Sequence, residues 1–326
     1  MIYADQRWMG NHGIGRFARN VLAGLSYLPV PLCSHPAAPL DSWRLARALR
    51  SATAHDIFFS PGYNTPLFFT SQLVFTIHDL SHVYCPENSS RLIRLYYGTL
   101  LKHACRTAFK ILTVSDFTRA QIAEWSGVPL NKVFNVRCGV DSMYCPEGEH
   151  YGLPFPYLLC VSNRKLHKNE FRMVEAFATA QIDDQVHLVF TGPPAPSLVH
   201  FIDKHGVSDR VDFLGDVREQ RLPSLYRGAH ALLFASLYEG FGLPILEAMA
   251  CGTPVITSDR TAMPETAESA ALLVDPTCTE QIANAISQLM HDSSLQRRLR
   301  QKGLVRASQF SWDHTRTAVH NLLYAA

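Results

Sequence analysis

The 326-residue chain has no run of 18 apolar residues, no C-x-x-C or Cys/His ligand spacing, no D-x-D segment, and no long repeat or low-complexity tract. The first absence excludes a membrane-spanning helix. The second argues against zinc: cysteines 33, 85, 105, 138, 145, 160, 251 and 278 are scattered, as reduced and mostly buried thiols of a cytosolic protein are. The third removes the paired carboxylates that would clasp a divalent cation, since Asp183-Asp184 are adjacent and fall in a turn. No metal and no cofactor are expected. Charge of one sign is also scarce. A net +2, without basic patches interleaved by aromatics, gives no case for nucleic acid. The charge is nevertheless split, with 14 Lys/Arg against 10 Asp/Glu in residues 1–150 and 16 against 18 in the remainder, a sign that suits a first half meeting an anionic surface. The opening residues, MIYADQRW, have neither a charged n-region nor an apolar h-region, so no secretory signal is expected.

What is present is a soluble-enzyme composition, 47% hydrophobic and 18% charged, in a chain long enough for two cores. Its most informative stretch is Tyr238 to Pro254, YEGFGLPILEAMACGTP. Ala231-Leu232-Leu233-Phe234 reads as a buried strand, Glu239-Gly240-Phe241-Gly242 as a loop, and Pro244 as the first turn of a helix that stops at Cys251-Gly252. Unsatisfied amides at such a helix start, and the positive end of its dipole, favour an anion, and the glycines let a diphosphate approach. Glu239 does not suit phosphate; it suits hydroxyl groups or developing positive charge. Glu247, one turn into the helix, suits a ribose diol. A helix N-terminus whose acids merely complement the dipole explains the same spacing.

Other strand ends carry chemistry as well. Leu73–Ile77 is a continuous apolar strand, as a parallel sheet requires, and it ends in His78-Asp79. In open α/β sheets that position faces the ligand crevice. The alternative is a histidine satisfied by turn backbone. Gly13-Ile14-Gly15-Arg16, between the strand Ile2–Ala4 and a helical pattern, makes a phosphate-compatible loop or else a tight turn packed on its own sheet. Residues 89–110 read as a basic amphipathic helix, either solvated or lying on an anionic bilayer. Residues 144–156, dense in Pro, Gly and charge, form the best linker. They divide an N-terminal domain, 1–150, from a second, 151–311. In the second, Arg164, Lys165, His167 and Lys168 crowd after the strand at 157–161, where fixed cations would stabilise a departing diphosphate.

These blocks resemble glycosyltransferase family 4, retaining enzymes of GT-B fold with a Glu–seven residues–Glu motif. The resemblance rests on Tyr238–Pro254 with the CGTPVITSD segment that follows, on VSNRKLHKNE (161–170), and on the GIGR, VSDFT, CGVD, VDFLGDV and FSW blocks. It implies an α/β chain of two Rossmann-like domains with parallel sheets facing an interdomain cleft, and a last helix, about 312–326, packing back on the first domain. It implies a nucleotide-sugar donor and retention at the anomeric carbon. Residue by residue, it implies that His78 contacts the transferred sugar, Lys168 and Arg164 hold the diphosphate, and Gly13 and Gly15 line the donor. Amides of Phe241, Gly242 and Leu243 meet the diphosphate, main chain near Val217 meets the base, and Glu239 and Glu247 take sugar and ribose. Asn163 stands where the family has an arginine, and Cys138 where it has asparagine. General likeness to bacterial mannosyltransferases of surface polysaccharides points to mannose from GDP-mannose and to a glycan or lipid-linked glycan acceptor. It also points to work at the inner face of the cytoplasmic membrane, with peripheral contact through 89–110. Rhamnose or glucose donors, a GT-B epimerase or phosphorylase, and a non-catalytic nucleotide-sugar-binding subunit are the alternatives.

Overall fold

The computed structural model describes residues 1–324 apart from 39 and 70. The chain forms two compact units, Met1–Gly139 with Ser311–Ala326, and Val140–Phe310. The first is built on β1 (Ile2–Ala4), β2 (Leu28–Pro29), β3 (Ile57–Ser60), β4 (Gln72–Thr76), β5 (Lys110–Thr113) and β6 (Val133–Asn135). All pair in parallel, in the order β2-β1-β3-β4-β5-β6. The second holds β7 (Tyr157–Cys160), β8 (His187–Phe190), β9 (Val211–Phe213), β10 (Ala231–Phe234), β11 (Val255–Ser258) and β12 (Leu272–Val274). These too are parallel, in the order β12-β11-β10-β7-β8-β9. The central strands β3, β7, β10 and β11 are buried at every residue. Helices on both faces remove them from water, so they read as unbroken apolar runs.

Strand order locates the places where a ligand fits. In the second unit it is the doubly wound Rossmann order, and the direction of winding reverses between β7 and β10. Loops leaving the carboxyl ends of these two strands diverge and leave a crevice. The first unit reverses between β1 and β3.

The boundary between units falls at Gly139/Val140, ahead of the expected 150/151. The Pro/Gly-rich stretch is not a free tether, because Arg227 collects its carbonyls. Arg227 Nε donates to Glu149 O at 2.9 Å and Nη1 to Cys145 O at 3.1 Å, while Tyr151 N donates to Ser224 O at 2.9 Å. The helix Trp312–Tyr324 belongs to the first unit. His320 Nε2 donates to Val21 O at 3.2 Å and Lys110 Nζ to Leu322 O at 2.6 Å.

The basic segment 89–110 is not one regular helix. Helix Arg91–Tyr96 passes into a π-turn at Tyr97–Leu101, continues as Lys102–Thr107, and Lys110 already belongs to β5. Tyr97, Leu101, Ala104 and Cys105 enter the core, whereas Leu92 and Leu95 stay 72% and 61% exposed. His82 sits in the short helix Ser81–Tyr84 and meets Ser89 Oγ at 2.6 Å. Cys138 is buried, and desolvation drives its thiol far above the ordinary range, so it packs as a neutral group.

A glycine at 139 is dictated by the crossing of the last helix. A Cβ there would lie 2.1 Å from Trp312 N and 2.4 Å from Ser311 C, both main-chain atoms that cannot rotate aside. Gly139→Ala is therefore expected to destabilise the protein by about 1–3 kcal/mol, the usual cost of overpacking. Chemical denaturation measures this, and an unchanged midpoint would contradict the packing described.

Candidate active site

At the switch point of the second unit, the β7 exit loop runs through Leu166–Lys168 and turns at Asn169, which is in the left-handed conformation. Asparagine tolerates that conformation, and its side chain is free to bond elsewhere. Here Asn169 Nδ2 donates to Ala235 O at 2.9 Å and to Pro276 O at 2.7 Å. Leu237 N donates to His167 O at 2.7 Å. The β7 and β10 exits are thus stitched together, and the stitch brings Lys168 Nζ to Glu239 Oε1 at 2.6 Å. Both side chains are about one-seventh exposed, and the ammonium also sits 5.2 Å from the Phe234 ring centroid. The lysine expected on a diphosphate and the acid expected on its sugar thus lie against each other.

Beyond Glu239 the chain enters helix Leu243–Ala250 through Gly242, at φ +97°, with no side chain capping the amides of its first turn. That φ lies where side-chain-bearing residues are strained, which favours glycine here. Thr261 Oγ1 accepts from Glu239 N at 3.2 Å and Thr266 Oγ1 donates to Phe241 O, holding the loop from the β11 side. Phe241 is buried edge-on to Phe310. The site therefore joins one cation, one carboxylate and a helix start that no side chain caps. Such a set can hold a diphosphate and, beside it, a polyol.

Not every expected residue joins that set. Arg164 is turned away and fully engaged. It pairs with Glu170, donates to Thr191 O at 2.6 Å, Gly192 O at 3.1 Å and Pro193 O at 2.9 Å, and lies 5.1 Å from the Phe190 and Phe213 centroids. It braces the β8 and β9 exits, leaving Lys168 to face Glu239. Glu247 is 1% exposed and accepts from Tyr226 Oη at 2.8 Å. In this state it joins its own helix to Leu222–Gly228 rather than facing open solvent. Val217 is half-buried beyond β9, where Gly192 and Gly215 bridge the β8 and β9 exits. Asn169, Tyr226, Glu170 and Thr261 were not anticipated. Asn169 alone had a local signal, a left-handed-turn residue type directly after Lys168.

The first unit assembles a separate group. His78 leaves β4 half-buried, and its Nε2 lies 2.9 Å from Pro61 O. A carbonyl only accepts, so Nε2 carries the proton and Nδ1 of the neutral ring keeps its lone pair. The ring stands edge-on to Phe17, 4.8 Å between centroids, on the helix Gly13–Leu22. Asp79 does not hold the ring; its Oδ1 accepts from Ser81 N at 2.8 Å. That helix is capped by His12, whose Nδ1 accepts from Gly15 N at 3.1 Å. Gly15 is glycine because a Cβ would meet Gly10 main chain at 2.4 Å, while Gly13 stays exposed. Of the two, Gly13 is the one open to a ligand.

Two parallel-sheet Rossmann-like units with this loop pattern define a GT-B glycosyltransferase. The family models agree: "Glycosyltransferase Family 4" matches residues 7–143 and "Glycosyl transferases group 1" matches residues 152–306. The O-antigen chain mannosyltransferase B of Escherichia coli is 30% identical over 300 residues, covering 86% of this chain and 79% of that protein. The O-antigen chain mannosyltransferase RfbU of Salmonella typhimurium is 29% identical over 224 residues, 66% of this chain and 60% of its own length. Among solved structures, sucrose-phosphate synthase from Thermosynechococcus elongatus superposes with a TM-score of 0.81 at 20% identity, covering 99% of this chain and 98% of that one, a likeness of fold. The chain belongs to the family 4 glycosyltransferases.

Burial lowers the titration of His78 below its ordinary value of 6.5, against the raising influence of Pro61 and Asp79. Burial, with His35, lowers that of His12. A depressed histidine binds fewer protons folded than unfolded, so stability is complete above about pH 6.5 and is lost as pH falls below it. Protonation would also strip His12 of the lone pair that caps Gly15 and put a cation at a helix N-terminus. The His78→Asn variant is expected to lose less stability than wild type between pH 7 and pH 5 in urea melts. Parallel profiles would contradict this.

Proposed function

We propose that the enzyme transfers mannose from GDP-mannose to a glycan or lipid-linked glycan acceptor in bacterial surface-polysaccharide synthesis, with retention at the anomeric carbon and without a metal ion. The observation that carries the reading is the contact of Lys168 with Glu239 beside a helix start that no side chain caps, at the Rossmann switch point. The choice of mannose and of O-antigen-type product follows the names of the two mannosyltransferase relatives.

In this reading the donor diphosphate takes Lys168 Nζ and the amides of Phe241, Gly242 and Leu243, and Glu239 turns to the sugar hydroxyls. The anomeric C–O bond breaks with its electron pair passing to the diphosphate. The charge that develops there is met by the fixed ammonium and the helix N-terminus. The acceptor hydroxyl bonds to the anomeric carbon from the leaving-group face, and its proton passes to the departing phosphate oxygen. The half-charge on the sugar is countered by Glu239. His78 presents the unprotonated Nδ1 as an acceptor toward a sugar hydroxyl, and Gly13 offers its backbone to the donor. Arg164 serves indirectly, by bracing strand exits. Glu247 accepts the ribose once Tyr226 yields or shares its hydroxyl bond.

The two exposed leucines, Leu92 and Leu95, with Arg91 and Arg94 on the same short helix, support peripheral contact with an anionic membrane. Leu92→Ser/Leu95→Ser is expected to reduce sedimentation with phosphatidylglycerol vesicles while transfer to a soluble acceptor persists. Undiminished sedimentation would remove that surface from the account.

Lys168→Ala should lower turnover about 30- to 1,000-fold, the loss of about 2–4 kcal/mol of transition-state stabilisation. Glu239→Gln should do likewise while nucleotide binding changes less. Transfer assays with GDP-mannose, run beside rhamnose and glucose donors and with circular dichroism to confirm folding, measure both. Wild-type turnover in folded Lys168→Ala would overturn the site, and transfer only from another donor would overturn the choice of mannose.

A further inference from the structure

We propose that the second unit carries another binding site, for a small phosphate-bearing anion, at the end of its sheet opposite the Lys168–Glu239 pair. A cavity of about 350 Å³ there is lined by His150, Arg227, His230, Gln296, Arg297 and Arg300, with glycine, alanine and proline completing the wall. Residues 227–230 lead into the amino end of β10, and Gly252–Pro254 lead into the amino end of β11. Lys168 and Glu239 instead follow the carboxyl ends of β7 and β10. In parallel strands these are opposite ends, so the cavity is separate from the donor loops.

The charge at this cavity is uncompensated. No carboxylate lines it, and none of its three arginines forms an ion pair among the described residues. Elsewhere in the same unit Arg164, Lys168, Arg210, Arg260 and Arg306 each face an acid. The bonds the three do make are to neutral groups. Arg227 uses Nε and Nη1 on the Glu149 and Cys145 carbonyls, Arg300 gives Nη1 to Gly252 O at 3.2 Å, and Arg297 Nη1 reaches Ser293 Oγ at 3.4 Å. These contacts aim the guanidiniums without neutralising them.

The helix that supplies Arg297 and Arg300, Ser293–Ser308, carries five Lys/Arg and no acid, so nothing on its own length offsets the field. Asp292, just ahead of it, is spent capping Ser294 N and Leu295 N at 2.9 Å. Guanidiniums gathered around one cavity repel one another until an anion enters. A multiply charged tetrahedral oxyanion offers acceptors to several planar forks at once, where a carboxylate satisfies one. The cavity is large enough for phosphate or pyrophosphate. Gly252 fits the design: it sits at φ +75°, and a Cβ would press within 2.9 Å of Arg300 Cζ, so the missing side chain lets this arginine close over the end of helix Leu243–Ala250. The site stands independently of the transfer reaction proposed above.

The test is isothermal titration of the full chain with inorganic phosphate and with pyrophosphate at constant ionic strength. Wild type, Lys168→Ala and Arg297→Ala are compared. Lys168→Ala weakens the donor site alone, so saturable binding that Lys168→Ala keeps and Arg297→Glu removes belongs to the second site. Arg297→Ala should weaken that binding about tenfold, the effect of one charge-assisted contact, and leave transfer at saturating donor unchanged. Arg297→Glu should abolish it. Pelleting with phosphatidylglycerol vesicles that Arg297→Glu prevents and pyrophosphate competes away would assign the phosphate to a lipid headgroup. Saturable titration without such pelleting would assign it to a soluble phosphate. Absence of saturable binding in Lys168→Ala, or equal affinity in wild type and Arg297→Glu, would overturn the proposal.

Discussion

One ion pair organises the second unit. Lys168 and Glu239 come from strands far apart in the chain, and they meet only because β7 and β10 are neighbours at the point where the winding of the sheet reverses. Two carboxyl-end loops that diverge leave room for a ligand; two that are stitched leave it a fixed shape. Asn169 supplies the stitch, reaching one carbonyl in each of two other loops. A half-buried ammonium and carboxylate also pay a desolvation cost that their mutual attraction offsets only when both are held in place. The surrounding loops supply that hold, through Thr261, Thr266 and the backbone of His167. The result is a cation already aimed where a diphosphate would develop charge, which is the form that electrostatic preorganisation takes.

The same logic explains why two residues with suitable chemistry stand outside the set. Arg164 adopts positive φ and spends its guanidinium on Glu170 and three carbonyls. A planar fork with so many partners is a brace. Glu247 is closed over by Tyr226, which makes it as much a joint between helices as a ligand group. In the first unit His78 is tied by Pro61, and this one bond decides which ring nitrogen is left to accept.

Much of the architecture was legible from residues. Short apolar runs followed by glycine or a polar turn marked β1, β4, β7 and β10, and with them the parallel α/β fold. The two-residue edge strand Leu28–Pro29, exposed at both residues, was not legible, because Pro29 and Pro31 interrupt the apolar run there. The Glu239–Glu247 block and Lys168 were visible as types and spacings. What was hidden depends on contacts distant in sequence. The unit boundary falls at 139/140 because Arg227 gathers in the proline-rich stretch, and the 91–107 helix breaks into a π-turn where Tyr97 and Leu101 enter the core. The partner of Arg164 lay only six residues away, but its direction depended on the exits of β8 and β9.

The central claim is that Lys168 and Glu239 share one small molecule, the cation on its diphosphate and the carboxylate on its sugar. A crystal structure with GDP-mannose bound tests it most directly. The account predicts Lys168 Nζ released from Glu239 and within hydrogen-bond distance of a diphosphate oxygen, with Glu239 facing sugar hydroxyls. A diphosphate lodged elsewhere, with the Lys168–Glu239 contact undisturbed, would contradict it.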